Sequence, residues 1–395
     1  MKSKDYSGRR HTLSTAVKGG YAVAGFVAMQ QTNDSAAPFV QEANFYYLTG
    51  IDEPGWLLIV RAEESILVAP DVSEVHRIFD GCLSDEEALL RSGVDRVLSK
   101  KDGDALLEGV LRDSDTLGVI GPDPHEEYNS FSSNPAPKQL YERVKASNCS
   151  VTDIRLEIAK MRSRKSEAEI NAIRHAANAT CDAFQQVKKA LSSMTYEYNL
   201  EAEFTYVFRN QGLTHAYEPI IAGGVNACTL HYSKNSENLP ENGLVLIDVG
   251  ARFNGYAADV TRTYVVGTPS EREVAVHAAV EKAHVAIIDL IKPGLSVKIY
   301  HEKVDEIMKT ALEGLGLLSS PDDYRKYFPH AVSHGLGLDV HDSLGGPEHF
   351  QPGMVLTVEP GIYIPEEGIG VRIEDDILVT ETGNENLTSS LSTSL

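Results

Sequence analysis

The sequence predicts two domains, a smaller α/β domain over residues 1–155 and an α+β domain over residues 156–395. Three observations lead to this prediction. Short apolar runs alternate with helical stretches in the first part of the chain. A helix-capping signal then opens a long helix. Hairpins and helices are mixed further on, which is typical of an α+β domain rather than a doubly wound parallel sheet. A length of 395 residues agrees with more than one domain.

The N-terminal domain is predicted from a repeated alternation of strands and helices. Apolar runs bounded by polar or Pro-containing segments indicate strands at Trp56–Val60, Ser65–Ala69 and Leu117–Ile120. A helical pattern lies between them at Asp85–Ser92. This alternation favours a small α/β domain.

The domain boundary is placed near residue 155, just before a helix start. Ser166 and Glu169 have the spacing of a capping box, and apolar residues follow them at helical spacing. The remaining elements are expected as a helix near Tyr198–Gln211, a strand pair at 244–266, two helices between 270 and 315, and strands near 355–379.

Charge and cysteine content restrict the partners and the compartment. The net charge of −21, from 36 basic and 57 acidic residues, disfavours nucleic acid and anionic lipid as partners. No segment has the apolar length of a membrane span, and the N-terminus lacks the apolar region of a secretory signal. The four cysteines form no paired motif, so a reducing cytoplasm is the simplest compartment.

A predicted hairpin brings two aspartates to one face of a sheet. Asn254-Gly255 lies between two apolar, β-rich runs, which is a strong signal for a two-residue turn. Counting outward from this turn pairs Asp248 with Thr261. Asp259, two residues before Thr261, then lies on the same face as Asp248, on the diagonal.

These two carboxylates have two possible interpretations, a solvated sheet face or a cation site. Asp248 follows Leu244–Ile247, a continuous apolar run typical of a buried strand. A buried carboxylate needs a partner or a metal ion. The hairpin therefore raises a metal site as a hypothesis without deciding it.

A histidine-rich segment follows, with His330, His334 and His341 within fifteen residues. His330 and His334 have the spacing of two zinc ligands on a helix. Gly335 and Gly337 argue against a helix there, however, and no glutamate follows His330, so the HExxH interpretation fails. Glycines in an irregular segment let the backbone approach a ligand closely.

Two glutamates complete the candidate set. Glu359 ends an apolar strand before a Pro-Gly turn, and the alternation around Glu374 puts it on the same face as Arg372, where a salt-bridged sheet face is the alternative. Together the candidates form a set of four carboxylates and one imidazole: Asp248, Asp259, His334, Glu359 and Glu374. Such an oxygen-rich set suits Mn²⁺, Mg²⁺ or Co²⁺ rather than structural zinc. Two ions could share bridging carboxylates.

The chain resembles the pita-bread metallopeptidase family, in particular its aminopeptidase P branch. The resemblance is strong over about residues 155–390. The family's ligand order Asp, Asp, His, Glu, Glu is matched in full. It is supported by the phrases Thr229-Leu-His-Tyr232, Ser333-His-Gly-Leu-Gly-Leu-Asp-Val-His-Asp342, Gly353-Met-Val-Leu-Thr-Val-Glu-Pro-Gly361 and Thr380-Glu-Thr-Gly-Asn-Glu-Asn-Leu-Thr388. The N-terminal segment Asn44–Pro54 resembles the family's aromatic segment more weakly. The loop between His341 and Glu359 is shorter than in longer bacterial forms.

The resemblance implies a pita-bread catalytic domain and a role for each ligand. Asp248 would chelate one ion, His334 and Glu359 would hold the other, and Asp259 and Glu374 would bridge the two. Glu359 would also shuttle the proton. We expect two divalent ions, manganese first, with cobalt, zinc or magnesium as alternatives.

The resemblance also assigns residues around the ligands. His231, His330 and His341 would position the peptide and stabilise the tetrahedral intermediate, and Arg372 matches a family arginine near the bridging glutamate. Asp34 is a weaker match to an N-domain residue that supports the site. A homodimer or homotetramer is expected, in which the N-terminal domain contributes to contacts and to site access.

The implied activity is a metal-dependent Xaa-Pro aminopeptidase, which acts on peptides with proline at the second position. The first alternative is a prolidase, restricted to Xaa-Pro dipeptides and built on the same ligands. A methionine aminopeptidase generally lacks such an N-terminal domain, and a creatinase-like hydrolase has lost the carboxylates. A non-catalytic binding module on this fold typically loses ligands.

Overall fold

The chain divides into two compact units, Met1–Ala159 and Lys160–Leu395, close to the boundary suggested by the sequence. The structure is a computed structural model that describes residues 1–62, 64–122, 131–320 and 322–395. Both units mix helices and strands, which confirms the predicted fold class. No helix in these described ranges has the length and apolar character needed to cross a bilayer.

The first unit is built around one mixed sheet. Its elements are α1 (Ser3–Ala16), β1 (Tyr21–Ala24), α2 (Ala43–Thr49), β2 (Leu57–Arg61), β3 (Glu64–Val68), α3 (Glu74–Phe79), α4 (Asp85–Ser92), β4 (Arg96–Leu98), α5 (Lys100–Asp113), β5 (Thr116–Val119), α6 (Pro135–Lys145) and β6 (Ser150–Asp153). The strand order is β4-β3-β2-β1-β5-β6. β1, β2 and β3 pair antiparallel, whereas the outer pairs are parallel. The three predicted strands and the helix at 85–92 are all present.

The second unit begins within α7 (Arg155–Ser163), the helix in which the division falls. Its helices are α8 (Glu167–Ala190), α9 (Glu197–Asn210), α10 (Glu271–Ile288), α11 (Val297–Gly314) and α12 (Asp323–Tyr327). The capping box is present at the start of α8, where Ser166 and Glu169 bond reciprocally. The strands are β7 (Thr214–His215), β8 (Ile220–Gly223), β9 (Gly243–Asp248), β10 (Ala251–Phe253), β11 (Tyr256–Ala257), β12 (Thr261–Val266), β13 (Val355–Val358), β14 (Gly361–Ile364), β15 (Ile369–Arg372), β16 (Asp375–Val379) and β17 (Asn384–Asn386).

Small antiparallel sheets dominate the second unit. Their strand orders are β11-β10-β7, β12-β9-β8, β13-β16-β17 and β14-β15. Helices α10 and α11 cover β13 to β16 and form a large apolar cluster with them, which includes Val280, Met308, Val358 and Ile377. This packing holds the ends of the strands, where the polar residues lie, in fixed positions.

The aspartate hairpin has the register counted from its turn. Asn254 and Gly255 have φ angles of 49° and 84°, as a turn with two left-handed residues requires. Asp248 pairs with Thr261 at the end of the β9–β12 ladder that is nearer the turn. The strand pairing is interrupted between the pairs Arg252–Ala257 and Asp248–Thr261, and three residues lie between these pairs on each strand. The register is therefore kept across it.

Candidate active site

Asp248 and Asp259 leave the hairpin on one side, as its register requires. Asp248 is the last residue of β9 and Asp259 lies just before β12. Their exposed fractions are only 8% and 5%. The Tyr217 hydroxyl lies 2.5 Å from the Oδ1 atom of each aspartate. One phenol proton thus serves two carboxylates, and the two side chains converge on one point.

His334 lies beside Glu359 because the backbone around it pairs with β13. Thr357 N–H donates to the His334 carbonyl at 2.9 Å, and Glu359 N–H donates to the Val332 carbonyl at 2.9 Å. His334 Nε2 lies 3.3 Å from Glu359 Oε1 and 3.5 Å from Asp259 Oδ2. A strand-like segment, rather than a helix, therefore delivers the imidazole to the carboxylates.

Glu374 approaches from β15, on the other side of β12. Its backbone N–H donates to the Thr261 carbonyl at 3.0 Å, and the Thr261 hydroxyl donates to its Oε2 at 2.6 Å. One ligand atom each from Asp259, His334 and Glu374 lies within 4.8 Å of the others. With Asp248 and Glu359 beside them, all five predicted ligands lie in one cluster, called the carboxylate cluster below.

Arg372 links several parts of this cluster. Its guanidinium donates to Asp248 Oδ2 at 2.6 Å, to the Thr261 hydroxyl at 3.1 Å and to the Tyr363 hydroxyl at 3.0 Å. Thr261 in turn contacts Glu374. Arg372 and Glu374 thus point to the same side, as the alternation predicted; Arg372 forms an ion pair with Asp248, and it is linked to Glu374 through the Thr261 hydroxyl.

Three histidines form the more open side of the cluster. His231 and His341 are exposed, with ring centres 6.5 Å apart, and the His341 ring lies 4.4 Å from that of His334. His330 is half-buried, with Nδ1 3.7 Å from Glu359 Oε2. The site therefore runs from buried carboxylates to accessible imidazoles, where a substrate could enter.

The hydrogen bonds around His330 determine which of its ring nitrogens carries the proton. Because Arg372 donates to the Tyr363 oxygen, the Tyr363 hydroxyl can donate to His330 Nε2 at 2.9 Å. Nδ1 then carries the proton and donates to the Ala331 carbonyl at 2.7 Å. Burial and the nearby Arg372 charge lower the pKa of His330 to about 4, in agreement with a neutral ring.

The carboxylates raise one another's affinity for protons. Burial raises the pKa of Asp248 to about 6 despite its contact with Arg372. Burial also raises the pKa of Glu359 to about 7, against the opposing charges of His334 and Arg372. The pKa of Glu374 is raised well above its usual range, first by burial and then by Asp259 and Glu359. A cluster in which acids resist ionisation is one that calls for positive charge.

His334 is oriented so that its Nε2 could bind a cation among these carboxylates. Its Nδ1 bonds to the Gly335 carbonyl at 2.9 Å, so Nε2 faces Asp259 and Glu359. Burial lowers its pKa, but the contact with Asp259 and the charge of Glu359 outweigh burial and raise the pKa to about 9. A backbone carbonyl on Nδ1 is the usual device that turns Nε2 toward a metal. The donor set of carboxylate oxygens and one imidazole fits hard divalent cations.

Sequence reasoning did not find Tyr217, Tyr363 or Asp376 as parts of the site. Asp376 is fully buried and its carboxylate accepts the Asp259 N–H at 3.3 Å. Tyr217 follows the two-residue strand β7 and carries no motif of its own. Tyr363 could have been suspected, because it stands in the strand directly after the Pro-Gly turn of Glu359. Asp34 is exposed in the first unit, and its predicted role stays a prediction.

The glycines of the histidine segment are required by the close packing of that segment. A Cβ on Gly335 would lie 2.4 Å from the Asp342 carbonyl oxygen, and one on Gly337 would lie 2.1 Å from Asp342 Oδ2. Asp342 N–H also donates to the Gly335 carbonyl at 2.8 Å. These glycines therefore allow the segment to fold closely onto itself between His334 and His341, and a close approach of the backbone to a ligand stays a prediction.

Two family models match the chain. The model of metallopeptidase family M24 matches residues 171–381, which include the five ligands and the three histidines. The model of the aminopeptidase P N-terminal domain matches residues 6–119. Each match falls within one of the two units.

Individual relatives match almost the whole chain. The Xaa-Pro aminopeptidase of Escherichia coli (strain K12) is 33% identical over 425 residues, covering 99% of this chain and 96% of the relative. The structure of aminopeptidase P from E. coli with the inhibitor Pro-Leu has a TM-score of 0.88 at 30% identity, covering 100% of this chain and 96% of that one. A zinc-substituted E. coli aminopeptidase P in complex with product has a TM-score of 0.86 at 30% identity, with the same coverage.

Proposed function

The chain belongs to metallopeptidase family M24 and is a metallo-exopeptidase of the Xaa-Pro aminopeptidase class, and we propose that the carboxylate cluster is its catalytic centre. The observation that carries the proposal is the convergence of ligand atoms from Asp259, His334 and Glu374 within 4.8 Å, inside the region matched by the family model. Peptides with proline at the second position are the substrates.

Asp248, Asp259, His334, Glu359 and Glu374 would hold two divalent metal ions. Bound ions of this kind polarise a carbonyl and lower the pKa of water, so that a nucleophile is available at neutral pH. We propose manganese as the first candidate, because the set contains four carboxylates and one imidazole. Zinc is the main competitor, in view of the zinc-substituted E. coli relative.

Glu359 is the proposed proton carrier. Its carboxylate lies beside His334 and His330, where it can take a proton from an attacking water and give it to the departing proline nitrogen. Glu359 Oε1 faces His334. Its other oxygen, Oε2, lies 3.7 Å from Nδ1 of His330, one of the three histidines on the open side of the cluster.

The remaining residues would bind and orient the peptide. His231 and His341 are exposed beside the cluster and can donate to the carbonyl of the first residue. Tyr363 and the neutral His330 form a wall held by Arg372, and this wall suits the ring of proline. The carboxylates at the bottom of the site are thus kept apart from solvent by the substrate itself.

Location and partners are proposals with separate support. Cys82, Cys149, Cys181 and Cys228 are all free thiols, which supports a reducing cytoplasm. The net charge of −21 supports the absence of nucleic-acid and membrane partners. Ile78 and Phe79 of α3 are 75% and 81% exposed, which supports self-association as a homodimer or homotetramer.

Substrate-length profiling with Mn²⁺ tests the function. We expect release of the first residue from an Xaa-Pro-Xaa tripeptide, dependent on added metal and abolished by EDTA. The variant Glu374→Ala should lose both metal binding, measured by calorimetry, and activity, because Glu374 contributes directly to the ligand set.

The same profile separates the alternatives. Cleavage of an Xaa-Pro dipeptide with no cleavage of the tripeptide would assign the chain to the prolidases instead. If metal-loaded protein left both peptides intact, the peptidase function would be wrong. Full activity of Glu374→Ala would contradict the assignment of the carboxylate cluster.

A further inference from the structure

A cavity in the second unit shares His330 with the open side of the carboxylate cluster. Its volume is about 240 Å³, and it lies between α11 and the segment that leads to His330. The residues that matter in its lining are His301, Asp305, Arg325, Phe328 and His330. His330 therefore belongs to both places: its Nδ1 lies 3.7 Å from Glu359 Oε2, and it also lines the cavity.

Arg325 presents a positive charge at this cavity. Its side chain is exposed and forms no ion pair or hydrogen bond within the described parts of the chain. Its guanidinium carbon stands 5.0 Å from the centre of the Tyr324 ring. Stacking on an aromatic face limits the orientations of a guanidinium and leaves its N–H groups free to bind an anion.

The neighbouring acid already has a hydrogen-bond donor. Asp305 lines the same cavity, but its Oδ1 accepts the Tyr324 hydroxyl at 2.5 Å. His330 is neutral through its bonds to Tyr363 and Ala331. Arg325 is thus the group in this lining with unused charged donors, and a carboxylate is the planar anion that matches its fork.

We propose that this cavity receives the residue after proline, and that Arg325 pairs with the C-terminal carboxylate of a tripeptide. This inference rests on the proposed function, since the cleaved bond must lie at Glu359. Proline at the Tyr363–His330 wall then directs the next residue past His330. The substrate class becomes short peptides, Xaa-Pro-Xaa with a free C-terminus.

The test compares Ala-Pro-Ala with its C-terminal amide in metal-loaded full-length protein. We expect wild type to prefer the free acid, mainly through KM. Arg325→Gln should reduce kcat/KM for the acid by roughly fivefold, the size expected for a partly solvated charge-assisted pair, and leave the amide unchanged. Arg325→Lys should fall between the two.

Lys326→Gln is the matched control, because it removes the same charge one residue away. Lys326 is already paired with Glu366, so this variant should keep the preference for the acid. A third peptide, Ala-Pro-Asp-amide, distinguishes a C-terminal carboxylate from a side-chain carboxylate. Metal content and circular dichroism spectra equal to wild type would establish that each variant is folded and loaded.

Several results would overturn the proposal. Equal losses for acid and amide in Arg325→Gln would give Arg325 a structural role, and a wild type without preference would remove the carboxylate subsite. If Ala-Pro-Asp-amide were the one peptide cleaved at the full rate, Arg325 would be assigned to recognition of a side-chain carboxylate instead. If wild type cleaved none of the peptides, the peptidase function and this inference would both be wrong.

Discussion

Arg372 shows at the residue scale how a single side chain can organise a site. It contacts Asp248, Thr261 and Tyr363, and through the last two it acts on Glu374 and His330. A lysine could not replace these contacts, because a single ammonium lacks the planar fork of donors. The buried guanidinium also offsets part of the negative charge collected around it.

Replacing Glu359 by glutamine in metal-free protein should show how much unfolding free energy is lost because the Glu359 carboxylate is buried. Burial raises the pKa of Glu359 from 4.5 to about 7. The folded state therefore binds a proton that the unfolded state has lost between these pH values, so stability falls as pH rises through this window. Glutamine does not titrate. Relative to wild type, the unfolding free energy of Glu359→Gln should rise by about 2–3 kcal/mol between about pH 5 and about pH 8.

Urea unfolding in EDTA at the two pH values would measure this difference, with Glu348→Gln, an exposed glutamate, as the control. A difference that stays constant with pH would contradict the raised pKa. With saturating Mn²⁺ the order should reverse at the higher pH, since the variant has lost a ligand.

At the scale of elements, the segment from Val332 to Leu336 is held from both sides. Its backbone pairs with β13 on one side. On the other, Asp342 folds back onto Gly335 and contacts Arg162 and Lys165, both buried, at 2.9 Å and 3.7 Å. Arg162 and Lys165, just before α8, are therefore buried against Asp342, whereas Arg164 between them is exposed. These two cations support the segment that carries His334 and His341.

The hairpin tolerates no side chain at Gly250. A Cβ there would lie 1.8 Å from the Ala258 carbonyl oxygen and 2.9 Å from Tyr217 Cε1. Gly250→Ala must push the two strands apart next to Asp259, which should cost about 3 kcal/mol of stability and weaken metal binding. Thermal unfolding and metal titration would measure both effects.

Gly314→Ala provides the comparison for this variant. Gly314 ends α11, and a Cβ there meets nothing within 4 Å. Alanine is favoured over glycine in helices by up to about 1 kcal/mol, so this variant should be neutral or slightly stabilised. Equal effects of the two alanines would show that the close contact at Gly250 is absent in solution.

At the scale of the whole molecule, each unit has its own core. In the first unit apolar residues such as Leu107, Leu117 and Val144 form a cluster around the sheet. In the second unit the large cluster under α10 and α11 lies behind the carboxylate cluster. The proposed ligands all belong to the second unit, so metal binding should stabilise that unit directly.

Metal removal should therefore affect two spectroscopic signals differently. Trp56 is the only tryptophan of the chain and is buried in the first unit, with 3% exposure. Mn²⁺ at a hundred times its dissociation constant should stabilise the second unit by about 2.7 kcal/mol for each ion bound. We expect the thermal transition seen by circular dichroism to rise by several degrees, and the tryptophan fluorescence transition to move less.

The variant Glu374→Ala is the control, because Mn²⁺ should shift neither signal in it. Equal shifts of both signals in wild type would mean that the two units unfold as one. The absence of any shift on adding Mn²⁺ to EDTA-treated wild type would contradict a metal site in the second unit.

Local signals in the sequence were sufficient for many features of this protein. Asn254-Gly255 determined the turn, and counting from it placed Asp248 opposite Thr261, because side chains alternate strictly along paired strands. The capping box at Ser166 located the start of α8 and the apolar runs located the strands, because these signals are also local in the sequence. The ligand order then indicated the family, which the comparisons confirm.

Only the tertiary structure brought together residues that are distant in sequence and have no motif. Tyr217 between the two aspartates, the contacts of Arg372 through Thr261 to Glu374, and Arg325 in one cavity with His301 depend on how separate strands and helices pack. The packing role of the glycines next to His334 was likewise not visible in the sequence, because their neighbour Asp342 comes close only when the segment folds back. The periodicity of apolar residues in the sequence determines local helices and strands. The convergence of distant side chains on one site depends on how these elements pack against one another.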